Sequence, residues 1–368
     1  MGYPIRKWND VLSIISGKNQ KVVADSSGQY PIYGSGGIMG YANNYLCEAG
    51  TTIIGRKGTI NRPIFVNERF WNVDTAFGVF PGEMLHPKFL FYFCQSFNFK
   101  ALDKSTTIPS LAKRDLLNIE MPVPSFPEQE HIISRIEELF SQLDASVAEL
   151  KTAKERLKVY RQAVLKEAFA ICSETVRIRE LCNVVRGGSP RPAGDERFYN
   201  GTIPFLKVAD LTNIPGMYLT KFSSTIKKAG LKRTRLVSAN TLLLSNSGAT
   251  LGVPKICRFQ TTFNDGIAAF LDLDEKREYL PYHYYFWMSQ TLALRAINQG
   301  AAQPNLNTAI IGNVLIPHCS YAEQKEISQQ IEARLSVCDN IEKTVDTALQ
   351  QAEALRQSIL KKAFKGGF

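Results

Sequence analysis

One stretch of this chain occurs twice. Residues 122–169 align without a gap on residues 317–364 when the numbering is shifted by 195. Identical residues recur at matched positions: Pro122 and Pro317, Glu128 and Glu323, Gln129 and Gln324, Asp144 and Asp339, Arg161 and Arg356, Gln162 and Gln357. The chain is therefore a tandem duplication, and its fold must accommodate two copies of one element.

Each copy has the features of one long helix. Ser125 precedes Glu128, and Ser320 precedes Glu323, by the three residues of a capping box, which satisfies free amide groups at a helix start. Apolar residues then recur every seven positions, as in a coiled coil. We expect them to form a helix-pairing seam: Ile136, Leu143, Leu150, Leu157 and Val164 with Ile331, Cys338, Val345, Ala352 and Ile359. A second row lies between them: Leu139, Ala153 and Tyr160, with Ile341, Ala348 and Leu355.

Matched caps and equal register favour pairing of the two helices with each other. The alternative is that each is an amphipathic helix packed on its own globular core. A helix of about forty residues is roughly 60 Å long, whereas a domain of this size is nearer 40 Å across. The segment between the helices connects to them through short links, so an antiparallel pair brings its two ends together. The same reasoning places Phe368 near Met1.

The sequence therefore divides into four parts. Residues 1–121 and 171–316 form two globular domains, and residues 122–170 and 317–368 form the two long spacer helices. The predicted fold class is α+β, with two similar domains joined by an antiparallel coiled coil in a pseudo-twofold, quasi-circular arrangement.

The two globular parts share a plan. In the first, Thr51–Gly55, residues 64–66 and residues 76–80 read as strands, and Pro87–Ser96 as a short aromatic helix in the core. Echoes of the first part recur in the second, for example residues 72–76 in residues 264–268. A common frame with different loops is typical of two modules that read different targets.

Composition places the chain among folded proteins of the cytoplasm. It has 368 residues, of which 44% are hydrophobic, enough for two ordinary cores. Neither a run of about eighteen apolar residues nor a signal-peptide pattern is present, so we expect no membrane association. The seven cysteines are scattered without C-x-x-C spacing, which suggests neither a disulfide framework nor a metal site.

The positive charge lies outside the helices. Residues 1–125 carry 13 basic and 9 acidic side chains, and residues 171–317 carry 17 and 10. Residues 126–170 carry 7 and 8, and residues 318–368 carry 7 and 7. This division suits domains that neutralise phosphates and helices that contact proteins. A soluble basic protein that binds no nucleic acid would show the same net charge, so charge alone does not establish nucleic-acid binding.

Polar and basic residues on loops are the candidate DNA contacts. Arginine and lysine bind phosphates or guanine edges, and asparagine and glutamine read adenine. The first domain offers Arg56, Lys57, Thr59, Asn61, Arg62, Lys104, Ser105, Thr106 and Thr107. The second offers Arg186, Ser189, Arg191, Lys207, Ser245, Asn246, Ser247, Thr250, Gln299 and Gln303. For any one of them, a solvated or turn-stabilising role is the competing interpretation.

Catalytic motifs are missing from the sequence. It contains no N-P-P-Y or D-P-P-Y run of an adenine methyltransferase, no serine elbow, no H-E-x-x-H helix and no kinase signature. We therefore predict a chain that is not an enzyme, with no catalytic residues and no metal site.

Two variable domains, each followed by a Pro-Glu-Gln-like entry into a long helix that ends L-K-x-A-F, resemble the DNA specificity subunit of type I restriction-modification systems. The resemblance covers the whole chain. It implies target recognition domains that read two unlike half-sites of double-stranded DNA, with the helices as a ruler between them. No base contact is carried over, because recognition domains of this family vary too much.

The resemblance also implies partners and cofactors. Two adenine methyltransferase subunits bind, largely through the paired helices, and two translocating restriction subunits can join. S-adenosylmethionine then belongs to the methyltransferase and ATP with magnesium to the motor, so this chain binds no cofactor itself. The competing hypothesis is a non-enzymatic coiled-coil scaffold or another DNA-binding adaptor, which leaves the basic, unlike domains unexplained.

Overall fold

A computed structural model describes residues 3–248, 250–297 and 306–367. The chain divides into two compact units, Met1–Thr152 with Val345–Phe368, and Ala153–Thr344. Within the described ranges, every helix is too short or too polar to cross a lipid bilayer.

The first unit is built on antiparallel strands. Its strands are β1 (Ile5–Lys7), β2 (Leu12–Ser16), β3 (Tyr30–Gly34), β4 (Gly37–Ala42), β5 (Thr51–Gly55), β6 (Ile64–Val66), β7 (Trp71–Asn72), β8 (Ala76–Pro81) and β9 (Glu120–Pro122). Its helices are α1 (Trp8–Val11), α2 (Pro87–Ser96), α3 (Lys113–Leu117) and the start of α4 (Phe126–Phe169), with 3₁₀ turns at Gln20–Val22 and Phe99–Leu102. The main sheet has the order β2-β8-β5-β6, a smaller sheet the order β4-β3-β7, and β1 pairs with β9. The predicted strands and the predicted aromatic helix are confirmed.

The second unit repeats this plan with additions. Its strands are β10 (Glu174–Arg177), β11 (Asn183–Arg186), β12 (Tyr199–Leu206), β13 (Tyr218–Leu219), β14 (Thr225–Ile226), β15 (Arg235–Val237), β16 (Thr241–Ser245), β17 (Pro254–Cys257), β18 (Thr261–Phe263), β19 (Ile267–Leu271) and β20 (Leu315–His318). Its helices are α5 (Ile178–Leu181), α6 (Val208–Asn213), α7 (Leu280–Ile297), α8 (Thr308–Gly312) and α9 (Tyr321–Ala363), with a 3₁₀ turn at Lys228–Arg233. The sheets have the orders β11-β19-β16-β17-β13 and β14-β12-β18-β15, and β10 pairs with β20.

In each main sheet, one central strand ends opposite the first residue of a neighbouring strand. Gly55 at the end of β5 pairs with Ala76, and Ser245 at the end of β16 pairs with Ile267. All five residues of β5 are buried, because the strand lies between β6 and β8 and contacts α2. The strand consists of β-branched residues up to Gly55, and this composition made Thr51–Gly55 recognisable as a strand in the sequence.

The predicted seam is buried or half-buried at all ten of its positions. Ile136, Ile331 and Cys338 are at most 1% exposed, and the three leucines of α4 are half-buried. The second row is more open, because Tyr160 is 45%, Ile341 44% and Leu355 51% exposed. These three side chains border solvent, whereas Leu139, Ala153 and Ala348 of the same row are half-buried.

Ion pairs between the long helices show their direction within each unit. In the second unit, Arg161 of α4 contacts Asp339 at 2.6 Å and Glu342 at 2.9 Å, while Glu167 contacts Arg334 at 2.9 Å. Numbers rise along one helix as they fall along the other, so the segments are antiparallel, as predicted.

The first unit shows the same direction at two levels. Arg356 of α9 pairs with Asp144 of α4. Nearer the start of α4, the Tyr3 hydroxyl donates to Glu128 Oε1 at 3.1 Å, and Tyr3 lies 3.7 Å from the Cβ position of Gly366. Met1 and Phe368, which were expected to be neighbours, lie outside the described residues.

The capping box forms in the second copy. Ser320 N and Oγ donate to Glu323 Oε2 at 2.9 and 2.6 Å. In the first copy Glu128 accepts the Tyr3 hydroxyl. The same motif thus serves a local cap at α9 and a longer-range contact at α4.

A buried glutamine ties the start of each long helix to a domain helix. Gln129 and Gln324 are 0% exposed. Gln129 Oε1 accepts the His86 amide just before α2 at 2.8 Å, and Gln324 Oε1 accepts the Tyr279 amide just before α7 at 2.8 Å. Each Nε2 donates to the carbonyl five residues earlier in the chain. The repeated Glu-Gln pair is therefore a structural joint.

A phenylalanine from the other long helix packs on the same domain helix. Phe364 contacts Phe89 and Phe93 of α2, with ring centroids 5.1 and 5.4 Å apart. Phe169 contacts Tyr282 and Phe286 of α7 at 5.1 and 5.6 Å. This contact accounts for the phenylalanine of the L-K-x-A-F ending.

Replacing Gln129 or Gln324 by leucine should lower the free energy of unfolding by about 2–4 kcal/mol. The change keeps the size but leaves buried backbone groups without partners. Urea denaturation followed by circular dichroism measures the effect. The exposed Gln330→Leu is the control, and equal stability of all three variants would contradict a structural joint.

A buried ionic cluster distinguishes the second unit. Glu278 is 5% exposed, and its carboxylate contacts the Nε2 atoms of His283 at 2.8 Å and His318 at 3.0 Å. Burial by itself raises the pKa of Glu278, but hydrogen bonds from His283 and His318 outweigh it and hold the pKa below its ordinary value. The offset of 193 that relates His86 to Tyr279 places Leu85 and Leu90 of the first unit at the positions of Glu278 and His283. One unit therefore has a carboxylate where the other has apolar packing.

Because folding lowers the pKa of Glu278, its carboxylate stabilises the fold above the ordinary glutamate pKa of about 4.3, and that contribution is lost as pH falls. Glu278→Gln should reduce stability at neutral pH and flatten the decline below about pH 4.3. Urea midpoints across the pH range measure this, with the exposed Glu275→Gln as control. An unchanged acid limb in Glu278→Gln would argue against the cluster.

Candidate nucleic-acid interface

Two loops that carry predicted residues meet in the first unit. After β5, the amides of Arg56 and Lys57 donate to the Thr75 carbonyl at 2.8 and 3.2 Å. The Leu111 amide donates to the Arg56 carbonyl at 2.9 Å, and Lys57 forms a bridge with Ser110. The fold therefore joins the predicted group 56–62 to the predicted group 104–107.

The joined loops border an open cleft of about 580 Å³. Arg56, Lys104 and Lys113 line it. The Arg56 guanidinium lies 5.8 Å from the Phe77 ring centroid and donates to the Asp74 carbonyl at 3.4 Å. Its side chain is thus oriented by the protein while half-exposed to solvent.

Charge in the cleft is partly compensated. Lys104 Nζ contacts Asp115 Oδ2 at 2.9 Å, and this hydrogen bond is the main cause that holds the pKa of Asp115 below its ordinary value. Lys113 Nζ donates to the Ile14 carbonyl at 2.7 Å. A phosphate that enters the cleft would compete with Asp115 for Lys104.

Some candidates of the first domain serve the loop itself. Ser105 donates to Asp103 Oδ1 from both N and Oγ, which lowers the pKa of Asp103. Asn61 Oδ1 accepts the Phe99 amide at 2.7 Å. Lys57, Thr59, Arg62, Thr106 and Thr107 are exposed. Ser105 and Asn61 are exposed as well, but their side chains hold the loop, so the other five are the better candidates for direct contacts.

In the second unit, several of the predicted DNA-contact residues form hydrogen bonds with the turn at residues 264–266. Arg186 Nε donates to the Asp265 carbonyl at 2.5 Å, and Ser189 Oγ donates to Asp265 Oδ1 at 2.7 Å. The Asn246 amide donates to the Gly266 carbonyl at 2.9 Å. A Cβ on Gly266 would stand 2.8 Å from Ser247 Oγ, so the Ser247 side chain lies against this turn.

The two clusters occupy equivalent places. The cluster of the first unit lies where β2 and β5 end and β8 begins, since Ser16 pairs with Phe77 and Gly55 pairs with Ala76. In the second unit the same edge is defined by Arg186 pairing with Ala268. In both domains, segments that are distant in sequence thus come together at the same edge of the main sheet.

Lys207 lines a separate cleft of about 330 Å³ with Tyr199 and Phe222. Its amide donates to Asp210 Oδ2 at 2.7 Å at the start of α6, and its side chain is exposed. Arg191 and Thr250 are also exposed.

Two predicted contacts are enclosed. Ser245 is 0% and Asn246 2% exposed, and Ser245 Oγ donates to the Thr250 carbonyl and accepts the Val253 amide. The Ser245 side chain is thus hydrogen-bonded within the fold, whereas Asn246 Oδ1 is buried without a hydrogen-bond partner among the described residues. Both side chains are enclosed, which argues against the predicted direct contact with DNA. Gln299 and Gln303 lie outside the described residues.

A basic segment was missed by the sequence reasoning. Its exposed cations are Lys227, Lys228, Lys232, Arg233 and Arg235. Arg235 Nε donates to the Arg186 carbonyl at 2.9 Å, and a Cβ on Gly188 would stand 2.4 Å from the Arg233 carbonyl. The segment therefore joins the cluster around Arg186. Its density of lysine and arginine was visible in the sequence, but it has no counterpart in the first domain.

Lys228→Ala with Lys232→Ala should weaken binding to duplex DNA of any sequence. Each lost phosphate contact should reduce the slope of log affinity against log salt by about 0.9. Fluorescence anisotropy at several salt concentrations measures it. The matched control is Lys151→Ala with Lys325→Ala, two exposed lysines on the long helices. An equal effect of both double variants would argue for a diffuse charge effect.

Comparisons with known proteins agree with this architecture. The family model for the type I restriction modification DNA specificity domain matches residues 2–155 and 172–351. The chain is similar to the EcoDI specificity subunit of Escherichia coli, at 24% identity over 97% of this chain and 86% of that protein. It is 27% identical to the EcoBI specificity subunit of the same species, over 85% and 73%. A solved chain from a study of type I R-M complex assembly has a TM-score of 0.79 at 17% identity, covering 100% of this chain and 98% of that one. This chain belongs to the family of type I restriction-modification DNA specificity domains.

Proposed function

We propose that the chain is the DNA specificity subunit of a type I restriction-modification complex and that it reads a bipartite, asymmetric site. The observation that carries this proposal is the equivalence of the two loop clusters. The same sheet edge bears Arg56 in one unit and Arg186 in the other, on one frame but with unlike surrounding loops. Such a pair of domains suits two half-sites of different sequence.

The chemistry of each cluster suits duplex DNA. Exposed cations supply phosphate contacts that position the domain, and arginine adds the capacity for paired hydrogen bonds to guanine. Arg56 is oriented against Phe77, and Arg186 is held by Asp265, so each guanidinium is ordered before binding. Ordered side chains lose less conformational entropy on binding, which favours selectivity.

The partners follow from the same proposal. Two adenine methyltransferase subunits would bind this chain, and two translocating restriction subunits would join them. S-adenosylmethionine would be held by the methyltransferase, and ATP with magnesium by the motor. This chain would contribute sequence recognition and no bond-making step, in line with its family, whose model describes a DNA specificity domain.

The test is an exchange of one domain. Residues 171–317 are replaced by the corresponding region of a relative, the chimera is expressed with the methyltransferase, and methylated adenines are mapped across the genome. We expect one half of the methylated sequence to change and the other half to persist. Exchange of residues 3–121 is the matched control and should change the opposite half. An unchanged sequence, or a change in both halves, would contradict the proposal.

A further inference from the structure

A hairpin of the first unit presents apolar side chains to solvent. Strands β3 and β4 form it, and Ile38 and Met39 near its tip are 56% and 64% exposed. Residues 26–47 contain no charged side chain, so the whole hairpin is neutral. β4 is also the edge strand of its sheet. Neighbouring large apolar residues on an exposed edge strand favour association with another molecule, so this tip is a candidate binding surface.

The base of the hairpin is fixed within the first unit. Ile32 of β3 is 2% exposed and Ala42 of β4 is fully buried, in one apolar cluster with Trp71 and Val73. β3 also pairs with β7, and the Val73 amide donates to the Tyr33 carbonyl at 2.9 Å. The exposed tip is therefore carried on a buried base.

A β-bulge near the tip exposes two successive side chains. Ile32 pairs with Gly40 and Tyr33 pairs with Ile38, so Met39 is the extra residue of the bulge. A regular strand points successive side chains to opposite faces, whereas a bulge re-aims one of them. Ile38 and Met39 are consequently both exposed on the same short segment.

The turn of the hairpin lies against the predicted DNA-contact loop after β5. A Cβ on Gly55 would stand 3.1 Å from Ser35 Cβ, and a Cβ on Gly58 would stand 3.7 Å from Ser35 Oγ. The hairpin and the loop are also both hydrogen-bonded, through backbone atoms, to the turn at residues 72–76. The apolar tip therefore lies beside the cations of that loop.

Apolar side chains next to cations suit insertion into a stack of base pairs. Isoleucine and methionine are among the side chains that enter between two base pairs and unstack them, while cations hold the neighbouring phosphates. The Arg56 guanidinium is half-exposed and Lys57 is exposed in the loop beside the hairpin. A charged tip would lose its hydration in the stack, whereas burial of Ile38 and Met39 is favourable.

The second unit has different elements at the same place. There β12 pairs in parallel with β18, as β3 does with β7. The Asn264 amide donates to the Leu206 carbonyl at 2.9 Å, which matches the contact at the end of β3. After β12 the chain enters α6, and the antiparallel neighbour β14 leads into the basic residues 227–235. One domain thus has apolar side chains where the other has cations.

We propose that the β3–β4 hairpin is a wedge that inserts Ile38 and Met39 between two base pairs of the half-site read by the first domain. Arg56 and Lys57 hold the phosphates next to that step. This inference rests on the proposed function. Pyrimidine–purine steps unstack most easily, so the wedge selects such a step by its deformability and without a hydrogen bond to a base.

The test detects the unstacked step directly. The full chain is mixed with its methyltransferase and a duplex of the methylated sequence, in which 2-aminopurine replaces one base at a time in the first half-site. We expect fluorescence to rise at one step away from the methylated adenine, and this rise to be lost in Ile38→Ala with Met39→Ala. Met39→Leu keeps an apolar side chain and should keep the rise, whereas the polar Met39→Gln should reduce it.

The salt dependence of binding separates a wedge from a phosphate contact. The double alanine variant should weaken binding by roughly tenfold. It should leave the slope of log affinity against log salt unchanged, because it removes no charge, whereas Lys57→Ala should reduce that slope by about 0.9. Fluorescence anisotropy with the same duplex measures both quantities.

A matched control replaces one isoleucine and one methionine elsewhere in the first unit. Ile5 and Met84 are 59% and 52% exposed and lie outside the hairpin. Ile5→Ala with Met84→Ala should keep the fluorescence rise and the affinity. Urea midpoints of both double variants should match that of the wild type, because every replaced side chain is largely exposed.

The outcomes distinguish this inference from the proposed function. If the double alanine variant at the hairpin keeps the fluorescence rise and the affinity, the hairpin is not a wedge, although the specificity function stands. If that variant binds DNA normally but loses the methyltransferase, the hairpin is a protein contact and the inference is overturned. If the wild type recognises no defined duplex sequence, both the proposed function and this inference fail.

Discussion

The structure depends on a buried glutamine at the start of each long helix. Gln129 and Gln324 each satisfy an amide that precedes a domain helix and carbonyls on both sides of the joint. An enclosed amide side chain must find all its partners or cost free energy, so it accepts only one orientation of helix against domain. A phenylalanine from the opposite long helix completes the contact on α2 or α7. The domain helix is thereby held by both long helices at once.

That rigid joint leaves the far edge of each sheet free to vary. The loops after β5 and β16 are hydrogen-bonded to turns at residues 72–76 and 264–268 through backbone atoms. These hydrogen bonds depend little on which side chains the loops carry. Different side chains can therefore be mounted on one frame. A surface groove beside α2 and another beside α7 show the opposite behaviour, since five lining positions carry the same residue in both units: Tyr92 and Tyr285, Glu137 and Glu332, Ser141 and Ser336, Asp144 and Asp339, and Arg356 and Arg161.

Much of the helical part was predictable, because its information is local and periodic. Ile136 and Ile331 were identified from heptad spacing alone, and both are fully buried. The open second row was less predictable, because Tyr160 has the right spacing but lies beside Arg334, whose guanidinium is 5.5 Å from its ring centroid. Heptad position indicates which face a residue occupies but not how closely the neighbouring helix approaches there.

The candidate DNA contacts were less predictable. Ser245 and Asn246 look like loop residues in the sequence, yet strand pairing draws them inside the second unit. The basic residues 227–235 belong to the second domain alone, so nothing in the first domain indicated them.

By itself the sequence determined the duplication, the two long helices, their antiparallel pairing and the location of positive charge in the domains. These follow from repeats, heptad spacing, residue counts and the lengths of the helices and domains, all of which can be read along the chain. Only the tertiary structure decided which loops share a surface, which polar side chains are enclosed, and that the repeated residues form two matched grooves. The reason is physical: those features depend on pairing between strands and helices distant in sequence, whose side chains meet only after the chain has folded.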